Sequence, residues 1–564
     1  MHRYITILLL FFSFFPLELI AQNLTLKVIG ANDKETKMIK TFDYVDSHID
    51  YNSILEEVDL LKRKIIKLGY IESEYSPLKK INDSAFIIKL ALKNNYDSIE
   101  IYYDNYDVSK ATIDNITKDS FDKYFSIPYV EVEQTLEYIN TQVVTNGFPF
   151  SKIKLSEIKI KDSKTLIAKL IILKDIKKRS LDNIVIKGYK KFPKSYLKRF
   201  LKIKPEKVFN IETIKKKLNA LNNLRFAEQT KTPEVLFTKD STILYIYLEK
   251  SQSNTFDGFL GFSTDEDTNK INFNGFINLE LNNNFNYGET FTLMYKSDES
   301  EQKNFEGKLN LPYLFSSPIG TELSLKILKR DSSFTSINQK ANVFYQLNAK
   351  NRIFLGVESI ESNNQLSDGI NFNIEDYKSN LYNLKYVFEN VQNFKSLFPI
   401  KTKVDLEVGL GKRETNTISE NQEKIQLDTY HNFQLSKKNS FYTRVNAAII
   451  NSNTYLENEL FRFGGINSIR GFLENSILAN KYIVVNTEYR YQLSRNIYAH
   501  TIIDFSDFEN KISNTKENLY GFGLGFGIRT KAGLLKFNYA NGKSETQNFK
   551  FSNSKIHLSL VSVF

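Results

Sequence analysis

From about Ser251 onward, the chain alternates apolar and polar residues in one short segment after another. A period of two is the repeat of a β-strand whose two faces meet different surroundings. In Thr321–Leu328, Leu323, Leu325 and Ile327 share one face, opposite Glu322, Ser324 and Lys326. In Phe305–Tyr313, Phe305, Leu309, Leu311 and Tyr313 oppose Glu306, Lys308 and Asn310. In Lys403–Leu410, Val404, Leu406, Val408 and Leu410 oppose Lys403, Asp405 and Glu407. About sixteen such segments, separated by Asn-, Ser-, Asp-, Gly- and Lys-rich turns, occupy 251–564. A sandwich of that many strands is unusual. A closed barrel with lipid outside and water inside accounts for apolar faces backed by full charges. The 32 Tyr and 44 Phe, with no Trp, supply rings for the two membrane interfaces.

The start of the chain fits export. His2 and Arg3 precede an apolar run, Tyr4–Phe15, broken at Pro16, and Leu19-Ile20-Ala21 offers a small residue before Gln22. Residues 1–21 therefore read as a signal peptide, too short to span a bilayer as a helix. No other run approaches eighteen apolar residues, so strands are the spanning option that remains. With no Cys, disulfides, thiolate zinc sites, cysteine nucleophiles and N-terminal cysteine lipidation are excluded. Five His, two at or beside the termini, argue against a His-rich metal centre.

Between these regions lies a repeat. Helical stretches end at Leu68-Gly69-Tyr70, Asn146-Gly147-Phe148 and Leu224-Arg225-Phe226, with 78 residues from Gly69 to Gly147 and again to Arg225. Glycine after a helix, followed by an aromatic, is a C-terminal cap with its hydrophobic contact. Short strands precede each stretch at Leu24–Ile29, Ser98–Tyr103 and Asn183–Lys187, and alternating strands follow at Ala85–Leu90, Thr165–Leu170 and Thr242–Leu248. The expected unit is β-α-α-β-β in three copies, over 22–95, 96–178 and 179–250. Residues 22–150 carry a net charge of −6, and 151–230 carry 23 basic and 7 acidic residues, net +16. That excess places the third copy against an anionic surface, phospholipid headgroups for an exported chain, with no nucleic acid expected.

Counting segments gives eleven strands before about Asn453, a long loop, and five strands after it. The loop contains Phe461-Arg462-Phe463-Gly464-Gly465-Ile466-Asn467-Ser468-Ile469-Arg470-Gly471-Phe472. Its apolar residues are a poor composition for a water-exposed loop and point to one folded back into the barrel mouth. A folded-in Arg470 needs a carboxylate, preferably one that takes two hydrogen bonds. Alternation puts Asp504 of Ile497–Phe505 and Glu488, with Arg490, of Tyr482–Leu493 in the lumen. Gly521, Gly523, Gly525 and Gly527 also face inward, opposite Phe522, Leu524, Phe526 and Ile528, where glycine lets another backbone approach. The docked loop is the expected occupant. Lys555–Phe564 alternates Ile556, Leu558, Leu560 and Phe564 on one face.

Ile469-Arg470-Gly471-Phe472, with Phe463-Gly464-Gly465 upstream, resembles the sixth-loop motif of the outer-membrane POTRA–barrel superfamily, the bacterial surface antigen family. The superfamily holds BamA- and TamA-like assembly factors and FhaC-type secretion pores. The resemblance covers the whole chain after the signal, and three repeats at this length are closest in layout to TamA. It implies a fold of three periplasmic POTRA-like repeats and a 16-stranded antiparallel transmembrane β-barrel over 251–564. It also implies that the loop arginine pairs with the aspartate of strand 13, which Asp504 matches. Where the family usually has glycine two residues later, this chain has Ser506. Phe564 matches the closing-strand signal.

The implied function involves no reaction, cofactor or metal. It is assembly or insertion of outer-membrane proteins, with unfolded clients binding through the repeats and a lateral barrel seam between Phe256–Thr264 and Lys555–Phe564. An inner-membrane or lipoprotein partner and a lipid-transport role stay open. The alternative is a two-partner secretion pore for one specific protein. Such pores usually carry two POTRA repeats and a plug helix, whereas three repeats here follow the signal directly. An enzyme is disfavoured: the chain has no G-x-S-x-G, H-E-x-x-H or P-loop, and His431 and His500 stand alone on strands.

Overall fold

The computed structural model describes residues 23–264, 271–297, 302–366, 373–392, 396–530, 533–545, 549 and 554–563. The signal segment 1–21 and Phe564 lie outside these residues. The chain divides into two compact units, Met1–Ser180 with Val208–Asn210, and Leu181–Lys207 with Ile211–Phe564.

The first unit holds two small sheets, each covered by helices. In the first, β1 (Leu24–Gly30), β2 (Ser47–His48), β3 (Glu74–Tyr75), β4 (Lys79–Asn82) and β5 (Ala85–Ala91) accompany α1 (Asp33–Lys40) and α2 (Tyr51–Lys67). The parallel pair β1–β5 lies at its centre. The α2 helix starts at Asp50, whose carboxylate accepts from the Ser53 amide while the Ser53 hydroxyl faces the Asp50 amide, a capping box. Its apolar positions Ile54, Val58, Leu61 and Ile65 are buried against Leu26, Val28, Ile88 and Leu90. In the second sheet, β6 (Ser98–Tyr102), β7 (Tyr124–Pro128), β8 (Lys152–Ile160) and β9 (Thr165–Leu173) run in the order β7-β6-β9-β8, with α3 (Lys110–Asp114) and α4 (Val132–Thr145). Both sheets carry a strand between the helices that the expected β-α-α-β-β unit lacks: β2 spans two residues, and β7 alternates buried Phe125 and Ile127 over five. Gly69 and Gly147 end α2 and α4 at φ 99° and 101°. A Cβ on Gly69 would lie 2.3 Å from the Tyr96 carbonyl oxygen, so both conformation and space require glycine there.

The second unit opens with a third sheet, β10 (Asn183–Gly188), β11 (Ala227–Phe237) and β12 (Thr242–Lys250), in the order β10-β12-β11. A π-helical turn at Tyr196–Phe200 and α5 (Ile211–Leu218) cover it.

Sixteen strands then form a closed barrel. They begin with β13 (Thr255–Thr264), β14 (Ile271–Asn282), β15 (Thr290–Ser297), β16 (Lys303–Leu311) and β17 (Ile319–Arg330). Next come β18 (Phe334–Gln346), β19 (Asn351–Asn364), β20 (Tyr377–Val391), β21 (Ile400–Thr415), β22 (Ser419–Gln434) and β23 (Asn439–Asn451). The long loop carries its own hairpin, β24 (Phe461–Phe463) and β25 (Ile477–Ala479). The barrel resumes with β26 (Lys481–Gln492), β27 (Ile497–Asn510), β28 (Thr515–Arg529), β29 (Leu534–Lys543) and β30 (Lys555–Val563). Eleven strands thus precede the loop and five follow it.

Lipid-facing apolar side chains stand exposed, as Leu323, Tyr382, Leu524 and Leu558 do. Inward-facing charges neutralise one another. Lys308 meets Glu322 at 3.1 Å, Lys424 meets Glu358 at 3.0 Å, and Lys340 reaches Glu407 at 2.5 Å. Buried charge is tolerated only when paired in this way. Tyr313 departs from the sequence pattern. The strand ends at Leu311, and Tyr313, at φ 55°, turns its ring edge-on to Tyr196 at 5.0 Å instead of facing lipid.

Closure of the barrel is uneven. β13 pairs with β14 through ten residues, and β29 with β30 through seven. Where the first and last strands meet, two pairs form among the described residues, Thr255–Val563 and Phe256–Ser562.

Candidate functional site

The loop between β23 and β26 enters the barrel. Gly464 and Gly465, at φ 112° and 93°, make its first bend. The Gly465 amide donates to the Ile469 carbonyl at 3.1 Å, and a Cβ there would strike the Glu474 carboxylate. Ile469 is wholly buried, and with Phe463 and Phe472 it packs against Val484, Phe508 and Leu519 of the barrel wall. Phe463 stacks on Tyr482 at 4.6 Å. Burying rings of this size supplies on the order of 2 kcal/mol apiece for holding the loop inside.

The apolar patch sets Arg470 against the wall. Its Nε donates to Asp504 Oδ2 at 2.8 Å and its Nη2 to Asp504 Oδ1 at 2.6 Å. Its Nη1 donates to Glu488 Oε1 at 2.5 Å, and its backbone amide donates to Asp504 Oδ2 at 3.0 Å. Arg470, Asp504 and Glu488 are 5%, 1% and 8% exposed. The structure therefore brings together the two carboxylates that alternation turned inward, Asp504 as a two-pronged acceptor and Glu488 as a bridge. Arg490 donates to the other oxygen of Glu488 at 2.7 Å and lies over the Tyr442 ring at 4.0 Å.

The four inward glycines do different work from that expected of them. Only Gly521 receives the loop: a Cβ there would lie 2.4 Å from the Arg470 carbonyl oxygen. Gly523 is closed off by the Tyr539 carbonyl of β29, Gly525 by Asn538 and His500, and Gly527 by the Tyr498 ring. The backbone approach at Gly471, φ 94°, is instead to Asn541 and Gly542 of β29, where a Cβ would come within 2.4 Å. Asn541 and Gly542 are site residues that sequence reasoning missed, since a single contact some seventy positions away leaves no periodic trace.

Other fasteners were missed as well. Asn486 donates to the Ser468 carbonyl and Arg444 to the Asn467 carbonyl, each at 2.7 Å. At the root of the loop, wholly buried Arg413 pairs with Glu459 at 2.5 Å and with Glu420, and Arg330 pairs with Glu457 at 2.7 Å. Alternation turns Arg413 and Arg444 inward, which is the signal that could have found them. His500 Nε2 lies 2.9 Å from Asn538 Oδ1, and His431 Nδ1 lies 2.8 Å from the Thr402 hydroxyl.

A lumenal cavity of about 630 Å³ runs from this clasp to the place where the barrel closes. Arg470, Glu488 and Arg490 line one part, Asp257 of β13 and Ser559 of β30 another. The clasp thus borders the same cavity as the two weakly paired strands.

The family model described as the Omp85 superfamily domain matches residues 234–556, and that for POTRA, a surface antigen variable number repeat, matches 180–250. Among solved structures the chain is similar to BamA from Haemophilus ducreyi lacking POTRA domains 1–3, at 14% identity. That match covers 82% of this chain and 99% of the other, with a TM-score of 0.50. CdiB from Acinetobacter baumannii is similar at 17% identity, covering 81% and 86%, with a TM-score of 0.52. CdiB from Escherichia coli is similar at 13% identity, covering 90% and 97%, with a TM-score of 0.53. These are likenesses of fold. Comparison with curated proteins gives no match.

Proposed function

Because this chain belongs to the Omp85 superfamily, we propose that it assembles client proteins into the outer membrane through the seam between β13 and β30. The barrel sits in the outer membrane and the POTRA repeat in the periplasm. The observation that carries the proposal is the seam itself, with two residue pairs among the described residues against ten in the adjoining hairpin. The unpaired backbone of an edge strand is a template for an incoming strand, and a client strand added there gains its hydrogen bonds as it enters lipid.

The other parts fit this route. The two N-terminal sheets act as further POTRA-like repeats, and clients are handed on by edge addition, with β8 of the second sheet and β11 of the third as the long open edges. On β8, Ile158 and Ile160 are exposed apolar side chains beside such an edge. The Arg470–Asp504–Glu488 clasp holds strands β26 and β27 in register while the opposite side of the lumen cavity opens. An inner-membrane or lipoprotein partner would work through the N-terminal sheets.

Depleting the protein and quantifying outer-membrane and secreted proteins tests the reading. Loss of several barrel proteins together supports assembly. Loss of one secreted protein, with every barrel intact, replaces it with a two-partner secretion pore.

A further inference from the structure

The client route leaves one built surface unused. At the periplasmic end of the barrel, the third sheet and two barrel turns enclose a groove of about 780 Å³. One side is Lys191 and Lys194, from the segment after β10. The other is Phe285 and Tyr287 of the β14–β15 turn and Phe315 of the β16–β17 turn.

The aromatic side is displayed, not collapsed. Phe285, Tyr287 and Phe315 are 77%, 73% and 101% exposed. The backbone beneath them is held in conformations that residues with a Cβ rarely adopt: Tyr313, Phe315 and Ser316 lie at φ 55°, 51° and 58°, and Asn283 and Asn286 at 53° and 63°. Such strain persists only where the surroundings fix it, and it collects at functional sites. Here the frame is explicit. The Glu289 carboxylate accepts from the amides of Phe285 and Tyr287 at 2.6 and 3.0 Å. Asn283 donates to the Tyr189 hydroxyl at 2.7 Å and accepts from the Gly288 amide at 2.7 Å. Arg199 donates to the Ser316 carbonyl at 2.8 Å.

The facing side is one sign of charge. Residues 183–205 contain eight basic residues and no acidic one. Arg199 and Lys202 are occupied by carbonyls of the barrel turns. Lys191 and Lys194 are exposed and have no ion-pair partner among the described residues. The single carboxylate in the lining, Glu289, is buried and directed to backbone amides.

Exposed rings at the end of a lipid-facing wall stand at the depth of the glycerol and upper acyl chains, and cations just beyond them stand at the depth of the phosphates. We propose that this groove binds an anionic phospholipid of the periplasmic leaflet. Lys191 and Lys194 contact the phosphate, and Phe285, Tyr287 and Phe315 seat the glycerol–acyl boundary. The bound lipid ties the third sheet to the membrane surface. The inference stands apart from client handling, since it needs only that the barrel lie in a bilayer.

The test is native mass spectrometry of the full chain in detergent, titrated with phosphatidylglycerol or phosphatidylcholine. Wild type should retain phosphatidylglycerol more strongly than phosphatidylcholine. K191Q/K194Q should weaken that retention about thirtyfold, as two lysines beside an anionic surface imply. Phe315→Ser should weaken both lipids, while Lys412→Gln, a surface change at the opposite end of the barrel, should leave both alone. Heat-dependent gel mobility verifies that each barrel is folded. Equal retention of the two lipids by wild type, or unchanged phosphatidylglycerol retention in K191Q/K194Q, overturns the proposal. So does a K191Q/K194Q variant that keeps lipid but loses an added barrel-strand peptide, which would make the groove a client site.

Discussion

Arg470 is gripped by two carboxylates and held through its own amide, all in a place with almost no solvent. Replacing it with alanine strands Asp504 and Glu488 as buried charges, at a cost of about 3–5 kcal/mol. Arg470→Ala should lower the urea midpoint of the inserted barrel and abolish function. Arg470→Lys should be only partly better, because an ammonium cannot supply the paired geometry that Asp504 accepts. Wild-type activity and midpoint in Arg470→Ala would refute a clasp role. Gly521→Ala probes the same contact from the wall. Its Cβ would strike the Arg470 carbonyl oxygen, so the loop should become sensitive to external trypsin, whereas Gly523→Ala, which meets only the neighbouring strand, should not expose it. Unchanged protection in Gly521→Ala would contradict the docking. The sequence made Arg470, Asp504 and Glu488 readable, because burial of a cation demands a partner and alternation says which carboxylates face inward. It could not say what lies across from Gly523, Gly525 and Gly527, because a face is readable from one strand and an occupant is not.

Between elements, the decisive joint is that of the third sheet with the barrel turns. The buried Tyr196 hydroxyl donates to the Gly288 carbonyl at 3.1 Å, and its ring fills the space a Cβ on Gly288 would need. Burial drives the Tyr196 hydroxyl pKa far above its ordinary value, so it stays a donor through any alkaline range the protein survives. Tyr196→Ala should cost about 3–5 kcal/mol of that joint, read as proteolytic separation of the third sheet from an intact barrel. Gly288→Ala should do the same by overfilling the space. Protease resistance equal to wild type in both would refute the joint. Strands were legible here because lipid and water impose opposite chemistry on their two faces over many residues. The two-residue strand β2 and the turn at Tyr313 were not, since two residues carry no period and the pull on Tyr313 comes from Tyr196, far away in sequence.

For the whole molecule, the order of eleven strands, inward loop and five strands could be counted from alternation and turn composition. The weakness of the closure could not, since register between the two ends of a barrel has no local signature. The central claim is that this closure opens. Phe256 and Ser562 are register partners, and the native chain has no cysteine to interfere. Cross-strand partners lie within the Cα range that a disulfide bridges. The most direct measurement is the rate of client appearance in the outer membrane with F256C/S562C oxidised and then reduced. The account predicts assembly that stops when the bond forms and returns when it is cut. Full assembly with the seam locked would contradict it and put the client's path through the lumen.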